Sequence, residues 1–275
     1  MPELPEVHTI SADLRKILKN AVIDKVLIAN NYRVFPENRI FINTVKGKRV
    51  LNVSRIAKNI IWELEGDKYI RFHLAMTGRI LIRNPKESPM WSKVAFRIIP
   101  PRGMKPLDIA FADMRMFGRV ELVEGEDLDK LKAKYGPEPL DRGLTPEEFL
   151  SRIKAKRSTI KSALLNQAVI SGLGNIYATD ALFLAGIHPE TKTKDLDLQG
   201  TTKLLKAAKQ VLEEGIVNRG STLPDKMYVD IFGKEGSQQN HFKIYLKTIC
   251  DNCKGPVEFK KIAGRGTYYC PNCQL

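Results

Sequence analysis

The C-terminal part of the sequence contains Cys250-Asp251-Asn252-Cys253 and, after sixteen further residues, Cys270-Pro271-Asn272-Cys273. These are the four cysteines of the chain. Two close thiolate pairs separated by about 15–20 residues supply the tetrahedral all-sulfur ligand set that structural zinc prefers. Four unrelated buried or redox-active thiols are the alternative. The spacing predicts one structural zinc ion, bound by all four cysteines, which folds the tail and leaves no coordination position open for catalysis.

The charge of the chain indicates a polyanionic partner. Its 275 residues include 45 Lys and Arg against 31 Asp and Glu, a formal net charge of +14. Such an excess favours nucleic acid over an anionic membrane, because no basic amphipathic helix carries an aromatic face. No apolar run reaches the roughly 18 residues of a transmembrane helix. The acidic, proline-rich start lacks the pattern of a secretory signal, so we expect a cytoplasmic protein without disulfides.

The N-terminal half is predicted to be a helix followed by an antiparallel β-sandwich or barrel. Apolar residues recur with helical spacing from Pro5 to about Asn20. Short segments rich in Val, Ile and aromatic residues then follow, as is typical of strands. They cover residues 22–29, 49–54, 59–64, 69–74, 79–83, 94–99 and 119–122.

The remaining sequence is predicted to be mainly helical, which makes the chain an α+β protein. We expect an N-terminal domain of residues 1–133 and a linker of residues 134–144, rich in proline and charge. A helical domain of residues 145–240 then opens at Thr145-Pro146, a capping residue followed by a helix-starting proline. This domain includes a long, aliphatic-poor loop of residues 218–240, and residues 241–275 form the zinc ribbon.

The N-terminus offers a candidate nucleophile. Removal of Met1 would expose the secondary amine of Pro2, which can attack an aldehyde-like carbon and form an iminium. The positive end of the following helix and the net charge of the chain both favour the neutral amine. Glu3 and Glu6 are candidate proton donors or acceptors beside it. A disordered acidic terminus that caps a helix is the alternative.

Three internal segments could contact nucleic acid. Gly172-Leu173-Gly174-Asn175 precedes a helix, where backbone N–H groups and Asn175 could bind a phosphate; a simple packing joint between helices is the alternative. Phe72-His73-Leu74-Ala75-Met76 lies at a strand end, and Arg115 and Phe117 are two residues apart on one predicted strand face. Met76, Arg115 and Phe117 could fill a duplex stack from which a base has been removed. Core packing of the apolar residues and a solvated arginine are the alternative.

Together these segments resemble the formamidopyrimidine-DNA glycosylases, the base-excision family that also contains the endonuclease VIII-like enzymes. The resemblance covers essentially the whole chain, in the family's order. It rests on Met1-Pro2-Glu3-Leu4-Pro5-Glu6-Val7, Lys58 after Ser54-Arg55, His73-Leu74-Ala75-Met76-Thr77-Gly78, Asp113 to Gly118, Asn166-Gln167 before Gly172-Leu173-Gly174-Asn175-Ile176-Tyr177-Ala178, and Gly264-Arg265-Gly266-Thr267 within the four-cysteine ribbon.

The resemblance implies a helix–two-turn–helix fold for the helical domain, a β-hairpin in the zinc ribbon, and a catalytic N-terminal domain. It also implies a bifunctional glycosylase and AP lyase that excises oxidised purines. Pro2 would attack C1′ of the damaged nucleotide and Glu3 would protonate the deoxyribose ring oxygen. The implied catalytic residues are Pro2, Glu3, Glu6, Lys58 and Arg265, with Lys58 and Arg265 at positions assigned to proton donors during strand cleavage.

DNA contacts are implied by the same resemblance. Phosphates around the flipped nucleotide would be bound by Lys58, His73, Asn175 and Arg265. Arg157 and Lys161 match a basic helix that follows the backbone, while Met76, Arg115 and Phe117 match the void-filling trio, with Arg115 pairing to the orphaned base. The expected partner is duplex DNA with oxidised bases or abasic sites, bound by a monomer without membrane association.

The sequence departs from the family pattern at His8, at Asn166, and in the loop of residues 218–240, which matches the segment that closes over the everted lesion. The loop difference leaves lesion preference open. One alternative is an endonuclease VIII-like enzyme for oxidised pyrimidines, against which the Met76, Arg115 and Phe117 trio argues. A zinc-ribbon DNA-binding protein without catalysis is the other, and the presence of Pro2, Glu3 and Glu6 argues against it.

Overall fold

The computed structural model describes residues 2–83, 90–101 and 105–275. Its contacts divide the chain into two compact units. The first combines Met1–Lys132 with Asn218–Ser237, and the second combines Ala133–Val217 with Gln238–Leu275. Within the described residues, no helix is both long and apolar enough to span a bilayer.

The first unit contains two four-stranded antiparallel sheets, which confirms the predicted sandwich. One sheet has the strand order β1-β6-β7-β5 and the other β2-β3-β4-β8. The strands are β1 (Val22–Ile28), β2 (Val50–Ile56), β3 (Asn59–Leu64), β4 (Lys68–His73), β5 (Gly78–Arg83), β6 (Ser92–Ile99), β7 (Leu107–Asp113) and β8 (Arg119–Glu124). Helices α1 (Leu4–Leu18), α2 (Asn38–Val45) and α3 (Gly125–Ala133) accompany them.

An aromatic cluster fills the core of the first unit. The ring of Trp62 on β3 lies 4.9 Å from Phe72 on β4 and 5.1 Å from Phe96 on β6, centroid to centroid. All three side chains are buried. Since large aromatic rings contribute much of the apolar area that a core removes from water, this cluster fixes the sandwich on which the neighbouring loops rest.

The sequence analysis did not predict strand β7, and its placement of Arg115 and Phe117 on a strand face is wrong. β7 ends at Asp113, and residues 114–118 form a turn in which Met116 has a φ of +55°. Such a left-handed residue interrupts the alternation of a strand. Helices α2 and α3 were also not predicted.

The second unit is helical, with a small β-hairpin near the C-terminus, as predicted. Its elements are α4 (Pro146–Lys154), α5 (Ile160–Leu165), α6 (Asn175–Ala185), α7 (Leu198–Val217), β9 (Glu258–Ile262) and β10 (Arg265–Tyr269). The side chain of Thr145 caps α4 by accepting a hydrogen bond from Glu148 N at 3.2 Å. Ala263 and Gly264 both have positive φ, the conformation of a tight two-residue hairpin turn.

The sequence analysis assigned the loop of residues 218–240 to the helical domain, and the structure corrects most of this assignment. Asn218–Ser237 belongs to the first unit instead. Tyr228 and Ile231 are buried in the sandwich core, and Ile82 N donates a hydrogen bond to Ile231 O at 2.8 Å. These two apolar residues therefore hold the segment on the sandwich, even though its sequence is poor in aliphatic residues and rich in glycine.

Candidate functional site

The N-terminal residues that could perform chemistry lie at the first turn of α1. Pro2, Glu3 and Glu6 are all buried. Glu3 N donates a hydrogen bond to Glu6 Oε2 at 2.8 Å, which closes the N-terminus of the helix and fixes the backbone that carries Pro2 and Glu3. Met1, whose removal the nucleophile hypothesis requires, is outside the described residues.

Glu6 also connects α1 to the segment 218–237. Its Oε1 accepts hydrogen bonds from Ser221 N at 2.8 Å and from Ser221 Oγ at 3.1 Å. Because one carboxylate receives the Glu3 and Ser221 donors together, it fixes the geometry between the helix start and this segment. Glu6 therefore has a positioning role in the unbound protein.

An ion-pair network with two buried carboxylates anchors the same segment further along α1. Arg219 Nη2 bonds to Asp13 on α1 and to Asp230 Oδ2, the latter at 2.7 Å. Both carboxylates are buried, and their hydrogen bonds raise the pKa of Arg219, with Asp13 as the main cause. Sequence reasoning missed these three residues because they are far apart in the chain and carry no local motif.

Lys58 lies in the turn between β2 and β3, and His73 is the last residue of β4 in the same sheet. Lys58 precedes Asn59, which pairs with His73 across β3 and β4. Burial lowers the pKa of His73, and the charges of Arg71 and Lys58 lower it further. The imidazole is therefore neutral near pH 7, and a neutral ring still has one N–H to donate to an anion. His73 Nδ1 is buried and has no hydrogen-bond partner among the described residues.

The structure brings Met76, Arg115 and Phe117 together at one exposed corner of the sandwich. The guanidinium carbon of Arg115 lies 4.8 Å from the ring centroid of Phe117, and Arg115 Nη1 lies 3.5 Å from Met76 Sδ. Phe117 is 55% exposed and Met76 37% exposed, so core packing does not account for either side chain. A stacked cation–aromatic pair beside a thioether forms a preassembled protrusion.

Asp113 organises this protrusion, a role that sequence reasoning did not assign. Its side chain is fully buried; one carboxylate oxygen accepts the Thr77 hydroxyl, and the other accepts Gly118 N at 2.7 Å. Thr77 Oγ1 in turn accepts Arg115 N at 3.1 Å. A Cβ on Gly118 would lie 2.7 Å from the Phe111 ring, so only glycine fits there. The Asp and Gly of the motif thus hold the turn that presents Arg115 and Phe117.

In the second unit, Asn175 connects the start of α6 to the hairpin. Asn175 Nδ2 donates to Gly266 O at 2.9 Å, next to Arg265 on β10. Asn175 Oδ1 is buried without a partner among the described residues. Arg265 is exposed at the first position of β10, directly after the hairpin turn. Asn175, one predicted phosphate ligand, is therefore bonded to the residue that follows Arg265, the other.

Lys161 corrects one expectation. The resemblance placed it on a basic helix that follows DNA, but its side chain is fully buried on α5. Its Nζ donates to Asn175 O at 3.0 Å and to the Thr179 hydroxyl. A buried ammonium must be hydrogen-bonded, and here the carbonyl of α6 satisfies it. Lys161 is a positioning residue for the Asn175 turn and cannot contact phosphate directly.

Arg157 is exposed, as a DNA contact requires, but it does not lie on a helix. It occupies the turn between the end of α4 at Lys154 and the start of α5 at Ile160. Ser158 and Thr159 follow it, and the Thr159 side chain caps α5 by accepting Ser162 N at 3.4 Å. The position of Arg157 is therefore set by two helix ends.

The four cysteines form the cluster that the sequence predicted. All four sulfur atoms lie within 4.8 Å of one another. The Sγ atoms of Cys250 and Cys273 are 3.8 Å apart, and those of Cys253 and Cys270 are 3.4 Å apart. Tetrahedral zinc with Zn–S bonds of about 2.3 Å separates its sulfurs by about 3.8 Å, so this donor set fits one structural zinc ion.

Zinc removal is expected to unfold the ribbon and weaken DNA binding. Metal binding supplies much of the folding free energy of such small modules, and the hairpin that carries Arg265 belongs to this one. Cys250→Ser should therefore lower DNA affinity at least about tenfold while the sandwich keeps its thermal transition. Fluorescence anisotropy and calorimetry measure the two quantities. Cys250→Ser binding DNA as wild type does would contradict this expectation.

Comparisons with known proteins match three parts of the chain to family models. Residues 1–120 match the family model for the formamidopyrimidine-DNA glycosylase N-terminal domain, and residues 135–226 match that for the formamidopyrimidine-DNA glycosylase H2TH domain. Residues 249–275 match the zinc finger found in FPG and IleRS. The formamidopyrimidine-DNA glycosylase of Chloroflexus aurantiacus is 36% identical over 278 residues, covering 100% of this chain and 98% of the relative. That of Desulforamulus reducens is 37% identical, covering 100% and 99%.

Solved structures with formamidopyrimidine-DNA glycosylase names are similar to this chain over nearly its whole length. A Lactococcus lactis Fpg in complex with abasic-site DNA superposes with a TM-score of 0.90 at 29% identity, covering 100% of both chains. A Lactococcus lactis mutant bound to Fapy-dG DNA gives 0.90 at 29%, covering 99% of both. The Thermus thermophilus protein gives 0.87 at 32% identity, covering 99% of this chain and 98% of the other.

Proposed function

The chain belongs to the formamidopyrimidine-DNA glycosylase family and is a DNA glycosylase, and from this premise we propose that it excises oxidised purines and then cleaves the strand through a proline Schiff base. The substrates proposed are 8-oxoguanine and formamidopyrimidines in duplex DNA. The observation that carries the proposal is the first turn of α1, where Pro2 is followed by the buried carboxylates Glu3 and Glu6.

The reaction begins at the amine of Pro2 once Met1 is removed. The amine nitrogen forms a bond to C1′, the N-glycosidic bond breaks, and the base leaves with its bonding electron pair and a proton. Glu3 donates a proton to the deoxyribose ring oxygen, which opens the sugar and leaves an iminium between Pro2 and C1′. The iminium acidifies the neighbouring carbon, so β-elimination and then δ-elimination expel the 3′ and 5′ phosphates. Water then hydrolyses the remaining iminium, which breaks the bond between the Pro2 nitrogen and C1′ and frees the enzyme.

The other site residues are assigned to contacts with DNA according to the charge, hydrogen-bonding groups and exposure of their side chains. Lys58, His73, Asn175 and Arg265 would bind phosphates of the everted nucleotide, and the buried Nδ1 of His73, which has no partner among the described residues, is consistent with a site completed by a ligand. Lys58 and Arg265 would also donate protons to the leaving phosphates. The exposed trio of Met76, Arg115 and Phe117 would occupy the space left by the base. We further propose that the enzyme acts as a cytoplasmic monomer.

Substrate choice and chemistry can be tested together. Duplexes carrying 8-oxoguanine, formamidopyrimidine or thymine glycol are incubated with the processed protein, with and without borohydride. We expect incision at the two purine lesions, products cut on both sides of the sugar, and a covalent protein–DNA adduct with borohydride, because an iminium is reducible. Preference for thymine glycol would instead indicate the endonuclease VIII-like activity, and DNA binding without incision would indicate a non-catalytic protein.

The nucleophile is tested with two variants of the N-terminus. Pro2→Gly keeps an amine but loses the secondary one, so trapping should weaken; a chain that keeps Met1 should not be trapped at all. N-terminal mass determination defines which form each sample contains. Strong trapping by a chain that retains Met1 would point to a lysine and overturn the assignment.

A further inference from the structure

We propose that a basic cleft in the second unit binds the sugar–phosphate backbone of duplex DNA through residues other than those assigned to the lesion. The cleft has a volume of about 650 Å³. It is lined by Lys154, Arg157, Ser158, Lys192, Thr193 and Lys194, which we refer to as the α4–α5 cleft. Arg157 alone among its charged residues was expected to contact DNA; Lys154, Lys192 and Lys194 are new assignments, and they rest on the proposed function.

The walls of the cleft are held by hydrogen bonds, so the backbone positions that carry its charged side chains are fixed relative to one another. Thr159 and Lys192 form an antiparallel β-bridge, and Thr193 N donates to Ser158 O at 3.0 Å. The Thr193 hydroxyl donates to Lys156 O at 2.5 Å and is itself buried. The turn after α4 and the turn at residues 192–194 are thus joined at two points. Because this backbone is already ordered, binding of a polyanion costs conformational entropy only in the side chains.

The cleft carries positive charge that the protein does not neutralise. Among the residues that the structure describes, no ion pair involves Lys154, Arg157, Lys192 or Lys194. Glu190, close in sequence to Lys192, pairs with Lys260 at 2.7 Å instead. Four exposed cations around one concavity repel one another unless an anion is bound.

The dimensions and chemistry of the cleft favour a strand backbone over a single small anion. Flexible lysine ammonium groups and one arginine bind phosphate oxygens without reading sequence, which suits contacts that hold a duplex in register. The Ser158 and Thr193 backbone is already used within the protein, so the side-chain cations supply the contacts. Such contacts should be counted in the salt dependence of binding, since each neutralised phosphate contributes about 0.9 to the slope of log K against log salt.

The test compares two double variants that remove the same charge. The cleft variant, Lys192→Gln with Lys194→Gln, removes two positive charges from the cleft. The control variant, Lys130→Gln with Lys132→Gln, removes two exposed lysines of α3 that pair with Asp127 and Asp129. Affinity for an undamaged duplex of about 20 base pairs is measured across a salt series, and we expect the cleft variant to lose about 1–2 units of slope. The α3 variant should keep the wild-type slope. Inorganic phosphate is titrated into each protein by calorimetry in parallel.

Each possible result of this experiment supports or overturns the assignment of the α4–α5 cleft to DNA. Equal slopes for the two double variants would mean that the cleft is ordinary solvated charge and would overturn the inference. Phosphate binding that the cleft variant loses, with an unchanged DNA slope, would make it a small-anion site and also overturn it. Incision by the wild-type protein is assayed in the same preparations: its failure counts against the proposed function, whereas incision together with equal slopes counts against the cleft alone.

Discussion

Replacing Glu3 with Gln is expected to lower single-turnover excision of 8-oxoguanine by about 10²- to 10⁴-fold, the usual contribution of a positioned general acid. Glu3 is 2% exposed at the start of α1, and its backbone is fixed by the bond from Glu3 N to Glu6 Oε2. Gln has nearly the same shape but cannot transfer the proton that opens the sugar. DNA affinity should stay within about twofold, because no phosphate contact is removed.

The same variant should cut a preformed abasic site much better than it excises a base. The sugar of an abasic site already equilibrates with an open aldehyde, so the amine of Pro2 can react without the proton from Glu3. Asp24→Asn, which removes an exposed carboxylate on β1, is the charge-matched control and should match wild type on both substrates. Equal losses on the two substrates would show that Glu3 supports the fold of the helix start and does not deliver a proton.

The parts of the fold that sequence reasoning predicted are those with a local signal. α1 follows from a proline and a helical apolar period, and the structure places it at Leu4–Leu18. The zinc site follows from the spacing of four cysteines, and their sulfurs converge. β3 was predicted at residues 59–64 and is found there, because buried Ile, Ile and Trp fill a central strand.

The parts that were missed depend on contacts between different elements of structure, some of them far apart in the sequence. Nothing in the sequence around Lys161 distinguishes it from a surface lysine. Its burial is explained by two partners on α6, the carbonyl of Asn175 and the hydroxyl of Thr179. The segment 218–237 contains few aliphatic residues, yet Glu6 and Asp13 of α1 bind Ser221 and Arg219 within it. Residue patterns over 10–18 positions cannot detect a partner more than 200 residues away.

The exposed trio of the first unit yields the second large effect. Changing Met76, Arg115 and Phe117 together to Ala should reduce 8-oxoguanine excision by at least about 10²-fold, since eversion of a paired base costs a few kcal/mol and the void would stay unfilled. Affinity for undamaged DNA should change little, because insertion occurs only when a nucleotide leaves the stack. Cleavage at a preformed abasic site should fall less, as there is less unstacking to compensate.

The control for this variant lies in the same turn. Met114 and Met116 are 44% and 50% exposed, comparable to Met76 and Phe117, and the stack of Arg115 on Phe117 and the contact of Arg115 with Met76 are formed without their side chains. Met114→Ala with Met116→Ala removes similar apolar area and should leave excision near wild type. The buried bonds of Asp113 to Thr77 and Gly118 do not involve the trio side chains, so the triple variant should keep its fold and its thermal transition. If the triple variant lost undamaged-DNA affinity and both incision rates in equal measure, the three side chains would be general anchors, and the protrusion that Asp113 builds would have another purpose than filling the gap opposite an everted base.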